Sequence, residues 1–221
     1  MTHCPWLGGF EQGGADCYTA SWWGWARWEE EIDWMCMQGV NLPVAPVGQE
    51  AIFRKVYLSL GMAEADIEAY FTGPAFLAWN RLGNIRTWAG PLTPAWHASQ
   101  SALQGKILER MRQLGMAAVL PAFHGHVPDG LEMKFPAANT STLSSWGGFA
   151  VHRPGDAQPG EAGAGNVGDC CSGVMQLEPT SPLFATIGEA FMRTMRAEWP
   201  AAAASHFYHP IVYEEEVMRP G

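Results

Sequence analysis

Apolar residues recur at the three- and four-residue spacing of an amphipathic helix in four stretches of the chain. The pattern predicts a first helix that starts near Ser21 and ends before Gly39, and further helices over 49–60, 94–114 and 182–198. The apolar face of the first helix consists of Trp25, Trp28, Ile32 and Met35, and that of the helix over 49–60 consists of Ile52, Val56 and Leu60. The helix over 94–114 has Leu103, Ile107, Met111 and Leu114 on its apolar face, and the helix over 182–198 has Leu183, Ile187, Phe191 and Met195.

Short apolar segments between the helices predict strands that are buried on both faces. They are 40–47, 116–123 and 205–213. Pro43 and Pro46 weaken the prediction for the first segment, because proline has no N–H to donate to a ladder. The alternation of helices and strands predicts an α/β fold with a mainly parallel sheet. Only about three or four strand–helix units fit, which is roughly half of a (β/α)8 barrel.

The remaining segments lack a clear period, apart from a short helix predicted over 63–71. The segments predicted to be irregular are the glycine-rich start at 1–16, an ordered loop at 72–84, a turn at 125–128 and a stretch at 150–173. The last of these is dense in Gly, Pro, Ala and Asp, a composition typical of a flexible surface insertion. We therefore expect one domain over 17–221 that carries this insertion.

Net charge and the chain termini exclude some classes of function. The formal net charge is −9 and the pI is near 5.2, so the cationic footprint of a nucleic-acid-binding protein is missing. The first residues lack the basic and apolar regions of a signal peptide, and the chain has no apolar run long enough to span a membrane. The five cysteines show no metal-like spacing, and we expect neither a metal nor a cofactor.

Eleven tryptophans are far more than a chain of this length usually contains. They predict either a tryptophan-rich core or a carbohydrate site, in which indole faces stack on sugar rings. Trp22, Trp23, Trp25, Trp28 and Trp34 all fall on the first predicted helix, and we expect most of them in the core. Trp79 and Trp146 fall in predicted loops and, with Tyr18 before the first helix, are the candidates for sugar stacking.

Polar residues that follow the predicted strands are candidates for chemistry, because parallel α/β folds bind ligands at the carboxyl ends of their strands. Glu50 follows the first strand and suits an acid, a base, a hydroxyl acceptor or a helix N-terminal charge. His124 and His126 follow the second strand, and in an extended segment they would point to opposite sides. That arrangement argues against a shared metal and leaves a structural histidine as the alternative.

Five segments that occur in order carry a specific resemblance to a known family. They are WWGWARWEEEIDWM at 22–35, GQEAIFRKVYLSLG at 48–61, FTGPAFLAWNRLGN at 71–84, LPAFHGHVP at 120–128 and SSWGGF at 144–149. Together they resemble the alpha-N-acetylglucosaminidases, family 89 of the glycoside hydrolases. The resemblance extends over 17–149 and, less closely, over 177–208.

This resemblance implies a partial (β/α)8 TIM barrel, about its first half and not closed. It further implies a lysosomal enzyme that removes terminal alpha-linked N-acetylglucosamine from heparan sulfate. Family members are similar to retaining glycosidases, which use two carboxyl groups roughly 5–5.5 Å apart. The carbohydrate is then the partner, together with the remainder of the barrel in a longer chain.

The resemblance also assigns roles to individual residues. Tyr18, Trp79 and Trp146 match residues of the sugar pocket, and Glu50 and His126 lie in motifs that border it. Asn139, in the sequon Asn-Thr-Ser, matches a family glycosylation site.

Glu215 falls in register with the family's catalytic acid, although the run of glutamates at 214–216 is also typical of a solvated acidic tail. The second carboxylate lies further along in the family, so the isolated chain is expected to be inactive. The alternatives are activity through association with the rest of the barrel, and a non-catalytic carbohydrate-binding module.

Overall fold

A computed structural model describes residues 19–143, 174–209 and 218–219. The predictions for 1–16 and 150–173 lie outside these residues. The helices are α1 (Trp25–Met37), α2 (Gln49–Ser59), α3 (Glu64–Tyr70), α4 (Leu77–Arg81), α5 (Pro94–Gln113), α6 (Leu131–Lys134) and α7 (Pro182–Glu198), with short 3-10 helices at Ala20–Trp22, Pro74–Phe76 and Pro200–Ala204. The strands are β1 (Val119–Pro121), β2 (His126–Val127), β3 (Thr140–Leu143), β4 (Met175–Leu177), β5 (Phe207–His209) and β6 (Met218–Arg219).

The chain divides into two compact units, each built from separate stretches of sequence. The first unit comprises Met1–Ser59, Thr93–Phe123 and Ile187–Pro210, and the second comprises Leu60–Leu92, His124–Thr186 and Ile211–Gly221. Within the described residues, no helix is long and apolar enough to cross a membrane.

The first unit contains the predicted parallel sheet. Strand β1 pairs in parallel with β5, with Val119 opposite Phe207, and Val44 forms a parallel bridge to the other side of Val119. The segment 40–47 is therefore a single bridge and not the predicted strand. Pro43 and Pro46 lack an N–H to donate. The segment is joined to the residues of β1 and just before it by three backbone hydrogen bonds: Ala117 N to Asn41 O at 2.9 Å, Val119 N to Pro43 O at 2.8 Å and Ala45 N to Val119 O at 2.9 Å.

Helix α1 confirms the predicted amphipathic pattern but starts later than expected. Trp28, Ile32 and Met35 are buried, as the spacing predicts. The helix begins at Trp25 after the extended residue Gly24, so Ser21 is not its N-cap. At the other end, Val40 N donates to Met35 O at 2.9 Å across a left-handed Gly39, which is the hydrogen-bond pattern that commonly ends a helix at glycine.

Three further helices of the first unit agree with the sequence pattern. Helix α2 buries Ile52 and Val56, helix α5 buries Leu103, Ile107 and Met111, and helix α7 buries Ile187, Phe191 and Met195. Phe53 of α2 packs near Phe191 of α7, with 4.5 Å between the ring centroids, and its ring centroid lies 6.3 Å from that of Phe123, which follows β1. The core of the first unit is thus aromatic at its centre.

The second unit contains a sheet that the sequence pattern did not predict. Its four strands lie in the order β2, β4, β3, β6, and every neighbouring pair is antiparallel. The expected turn at 125–128 therefore includes strand residues, because His126 pairs with Gln176. The predicted loop at 72–84 was also wrong in part, because it holds a 3-10 helix and α4. The short helix over 63–71 is confirmed as α3.

Candidate functional site

Glu50 is a buried carboxylate in the first turn of α2, immediately after the segment that bridges to β1. Gly48, just before this turn, lets the backbone pass close to α5: its φ is +73°, and a Cβ there would lie 2.9 Å from the carbonyl oxygen of Gln100. Burial lowers the pKa of the nearby His97, while the Glu50 carboxylate acts in the opposite direction and Arg54 lowers it further. Glu50 thus lies at the carboxyl end of a parallel segment and among titratable groups, as expected for a site residue.

Gln49 follows the first predicted strand beside Glu50 but is not among the predicted site residues. It is buried beside Glu50, and its side-chain Nε2 has no hydrogen-bond partner in the part of the chain that the structure describes. A buried donor that is left unsatisfied costs about 1–3 kcal/mol. Its place directly after Gly48, at the end of a predicted strand, is the signal by which it could have been found.

Trp79 lies in the second unit, half-buried on α4 and not in a loop as expected. The neighbouring Asn80 side chain donates to Tyr70 O and to Ile85 O, both at 3.1 Å. Asn84 N donates to Trp79 O at 2.8 Å and closes the turn after the helix. These bonds fix the backbone that carries the indole, which is a requirement for a preorganised binding residue.

His126 is completely buried on β2, and its imidazole ring lies against the backbone of Gly83. The predicted opposite orientation of His124 and His126 is wrong, because their ring centroids are only 4.4 Å apart. Gly125 causes the difference: its φ of +96° breaks the extended segment between the two histidines. Among the described residues, no group of three or more His, Cys, Asp or Glu side chains is placed to hold a metal.

The two imidazoles occupy an environment that disfavours charge. Burial lowers the pKa of His124 to about 4. Burial lowers the pKa of His126 well below its usual value, and the adjacent His124 lowers it further. Both rings are therefore neutral at neutral and mildly acidic pH, which suits hydrogen bonding and packing better than a cationic role.

Gln176 on β4 holds the turn between the two histidines in place. Its Nε2 donates to His124 O at 3.1 Å, and the backbone N of Leu177 donates to Gly125 O at 2.8 Å. A Cβ on Gly125 would come within 1.9 Å of the same Nε2. Glycine is thus required here both by its φ and by the approach of the glutamine.

Comparison with known proteins identifies the family of the chain. Residues 14–219 match the model of the alpha-N-acetylglucosaminidase (NAGLU) TIM-barrel domain. The chain belongs to the alpha-N-acetylglucosaminidase family. It is 44% identical to human alpha-N-acetylglucosaminidase over 198 residues, which are 90% of this chain and 24% of the human protein. The chain therefore spans about a quarter of the length of that relative.

Solved structures of family 89 glycoside hydrolases from Clostridium perfringens share the fold at 26% identity. One, in complex with PUGNAc, superposes with a TM-score of 0.73 over 93% of this chain and 21% of its own. Another, in complex with 2-acetamido-1,2-dideoxynojirimycin, has a TM-score of 0.70 over 87% and 20%. A third has two glutamates replaced by glutamine and is in complex with its substrate GlcNAc-alpha-1,4-galactose, with a TM-score of 0.69 over the same shares. The predicted α/β fold, a partial TIM barrel, is confirmed for this alpha-N-acetylglucosaminidase-family chain.

The structure places only part of the site that the alpha-N-acetylglucosaminidase resemblance predicts. Trp79 and His126 lie in the second unit, and Glu50 lies in the first. Tyr18, Trp146 and Glu215 lie outside the described residues, so their roles stay predictions. Likewise the domain boundary at residue 17 stays a prediction.

Asn139 of the sequon is exposed immediately before β3. Its backbone oxygen accepts a hydrogen bond from Glu178 N at 2.9 Å, which leaves the side-chain amide accessible. An exposed sequon beside a strand end is compatible with glycan attachment, and the glycosylation itself stays a prediction.

The tryptophans of the first predicted helix do not form the core that was expected. Trp28 alone among them is buried, whereas Trp22 is 66% exposed and Trp34 is 42% exposed. Trp22 belongs to the 3-10 helix Ala20–Trp22, which ends before α1 begins at Trp25, so the periodicity of α1 does not extend to Trp22.

Proposed function

We propose that this chain provides the sugar-binding part of an alpha-N-acetylglucosaminidase, a glycosidase that removes terminal alpha-linked N-acetylglucosamine. The observation that carries the proposal is the 44% identity to the human enzyme over 90% of the chain. A family relative in complex with GlcNAc-alpha-1,4-galactose supports the same substrate class. Heparan sulfate as the natural polymer and the lysosome as the location are parts of the proposal that follow from the resemblance.

The proposed chemistry is retaining hydrolysis by two carboxyl groups. One protonates the leaving glycosidic oxygen, and the other attacks the anomeric carbon to form a covalent intermediate that water then hydrolyses. Glu215 is proposed as the acid of this pair. The partner carboxylate belongs to a part of the family barrel that this chain does not match, so turnover is proposed to require the rest of that barrel.

The remaining predicted site residues are proposed to form the sugar pocket, either by contact with the sugar or by support of a contacting segment. Trp79 stacks on the pyranose ring together with Tyr18 and Trp146. Glu50 accepts a hydrogen bond from a hydroxyl, and a buried, neutral His126 supports the segment that carries Trp79. The fixed backbone around Trp79 and the burial of Glu50 support these roles.

Binding of 2-acetamido-1,2-dideoxynojirimycin, measured by calorimetry, tests the pocket without requiring turnover. We expect the Trp79→Ala variant to bind this iminosugar at least about fivefold more weakly, because a lost aromatic contact is worth about 1 kcal/mol or more. The matched control is Trp34→Ala, which removes a partly exposed indole from α1. Equal affinity in both variants would refute the pocket assignment.

Turnover is tested with a chromogenic aryl alpha-N-acetylglucosaminide. The chain alone should bind the substrate without hydrolysing it, and addition of a polypeptide that carries the rest of the barrel should restore hydrolysis. The restored activity should be lost in Glu215→Gln. Restored activity that survives this substitution would remove Glu215 from the mechanism.

A further inference from the structure

Four tryptophans of the first unit surround one shallow groove beside the N-terminal ends of α1 and α5. The groove has a volume of about 560 Å³, and its main lining residues are Trp22, Trp23, Trp25, Trp96, Ser99 and Lys106. We call it the tryptophan groove. None of these residues belongs to the proposed sugar pocket, and the proposed function leaves them without a role.

The indole of Trp22 is exposed although its backbone is well held. Trp22 N donates to Thr19 O at 3.2 Å, and Trp23 N donates to Ala20 O at 3.1 Å. Large apolar side chains that are gathered at one exposed place usually mark a binding surface. The flat indoles are suited to stacking on the apolar faces of a ligand's rings.

Positive charge accompanies the aromatic rings. Lys106 Nζ lies 5.9 Å from the centre of the Trp25 ring, and it forms no ion pair with any residue that the structure describes. Arg27 Cζ lies 4.2 Å from the centre of the Trp23 ring, although this guanidinium also pairs with Glu31 at 2.6 Å. The N-terminus of α1 at Gly24 lines the same groove without a side-chain cap and adds the positive end of a helix dipole.

Carboxylates near the groove limit the density of acidic groups that a bound ligand can carry. Glu29 and Glu109 line the adjoining surface past Trp25 and Lys106, together with Arg110. A ligand with a phosphate on every unit would meet these carboxylates, and the net charge of −9 would repel it further. A ligand of stacked rings with widely spaced acidic groups fits better, because one such group can reach Lys106 while the rest of the chain lies on the indoles.

We propose that the tryptophan groove is a second carbohydrate-binding site, which takes the internal part of an acidic glycan chain. Sugar rings stack on Trp22 and its neighbours, and a carboxylate or sulfate binds Lys106. The choice of a glycan as the ligand rests on the proposed function. Holding a polymer at a second place raises its effective concentration near a catalytic site without adding to the chemistry.

The test uses the full chain and an unsulfated hexasaccharide of alternating N-acetylglucosamine and uronate whose non-reducing end is a uronate. A pocket for terminal N-acetylglucosamine does not take this probe, so the groove is measured alone. Trp22→Ala should weaken binding about tenfold, because it removes the apolar surface that the C–H face of a sugar ring covers. The control Trp34→Ala, an exposed indole of α1 outside the groove, should leave the affinity unchanged.

A second variant keeps the test decisive if Trp22→Ala folds poorly. Lys106→Gln changes an exposed side chain and should reduce both the affinity and its dependence on salt. An unchanged affinity in Lys106→Gln would overturn the proposal, as would equal losses in the two tryptophan variants. Preferential binding of a single-stranded oligonucleotide, or self-association that Trp22→Ala abolishes, would identify another occupant and overturn it as well.

The outcome is separable from that of the proposed function. If the hexasaccharide binds through the groove while the iminosugar does not bind, the groove stands and the pocket fails. If the iminosugar binds in a Trp79-dependent manner while the hexasaccharide does not bind, the pocket stands and the groove fails.

Discussion

His126 packs its imidazole ring directly against the backbone of Gly83, so closely that a Cβ on the glycine would lie 2.3 Å from Cε1 of the ring. Gly83 ends the turn that follows α4, and α4 carries Trp79. This contact therefore connects a buried strand residue to the segment of the proposed stacking tryptophan. The complete burial of His126 favours a positioning role over direct contact with a ligand.

Replacement of Gly83 by alanine should destabilise the protein by about 2–4 kcal/mol, since the strain of a positive φ adds to overpacking against His126. The measurement is urea-induced unfolding. Gly115→Ala is the matched control, because Gly115 also has a positive φ of +74° but a Cβ added there would meet no atom within 4 Å. Its cost should be about 1–2 kcal/mol. Equal costs in the two variants would mean that the contact with His126 is unimportant.

Gly125 and Gln176 should behave as an energetically coupled pair. Gly125→Ala places a methyl group on the glutamine Nε2, and Gln176→Ala removes the hydrogen bonds to His124 O and Leu177 O. Each single change should cost about 2–3 kcal/mol. The double variant should cost clearly less than the sum, because the smaller side chain at 176 makes room for the methyl group. Additive unfolding free energies would contradict this account.

The long helices of the fold could be predicted because their apolar spacing is regular over several turns. Ile187, Phe191 and Met195 lie on one face of α7 and are all buried, as the spacing predicts. Helix α4 could not be predicted in this way, since five residues are too few to show a period. The antiparallel sheet was missed because its strands have two to four residues and pair across long stretches of chain.

The orientation of the candidate site residues could be predicted only where the backbone is regularly extended or helical. An extended segment would separate the rings of His124 and His126, but the left-handed Gly125 brings them together. Glycine permits that conformation without requiring it, so the sequence pattern left it undetermined. The local pattern marks the position of Gln49 at the end of a predicted strand, but the burial of its amide without a partner depends on residues that are distant in sequence.

Acidification from pH 7 to pH 5 should destabilise the protein. His124, His126 and His97 have pKa values lowered by burial, so in this range the unfolded chain binds protons that the folded protein does not. Their contribution to stability is fully present above the pKa of an unfolded histidine, near 6.5, and is lost as the pH falls towards the pKa values of the folded protein. The slope of unfolding free energy against pH should approach about 1.4 kcal/mol per pH unit for each of His124 and His126, and His97 adds to it in the same direction.

The slope, and not the absolute stability, is the quantity to compare between variants. His126→Gln should reduce this slope, because it removes one of the buried rings. Glu198, whose pKa is lowered by its hydrogen bonds to Lys55 and Ser101, contributes stability that is lost only below about pH 4.5 and does not affect this window. A slope in His126→Gln equal to that of the unmodified protein would show that this ring is not buried in its neutral form.

The ion pair between Asp33 of α1 and Arg110 of α5 should contribute modestly to packing of the two helices. Arg110 Nε and Nη2 each donate to one carboxylate oxygen at 2.8 Å, which is the geometry of a bidentate pair. Both side chains remain partly exposed to solvent, which limits the coupling to about 0.5–1 kcal/mol.

A double-mutant cycle with Asp33→Asn and Arg110→Gln measures this coupling from unfolding free energies, and 0.5 M salt should reduce it. The pair Glu109–Arg112 is the internal comparison, since both residues belong to α5 and hold no second element. Its coupling should be smaller, because residues three apart on one helix are already neighbours without tertiary structure. If both cycles give the same value, the ion pair between α1 and α5 adds nothing beyond a local surface interaction, and the packing of these two helices depends on their other contacts.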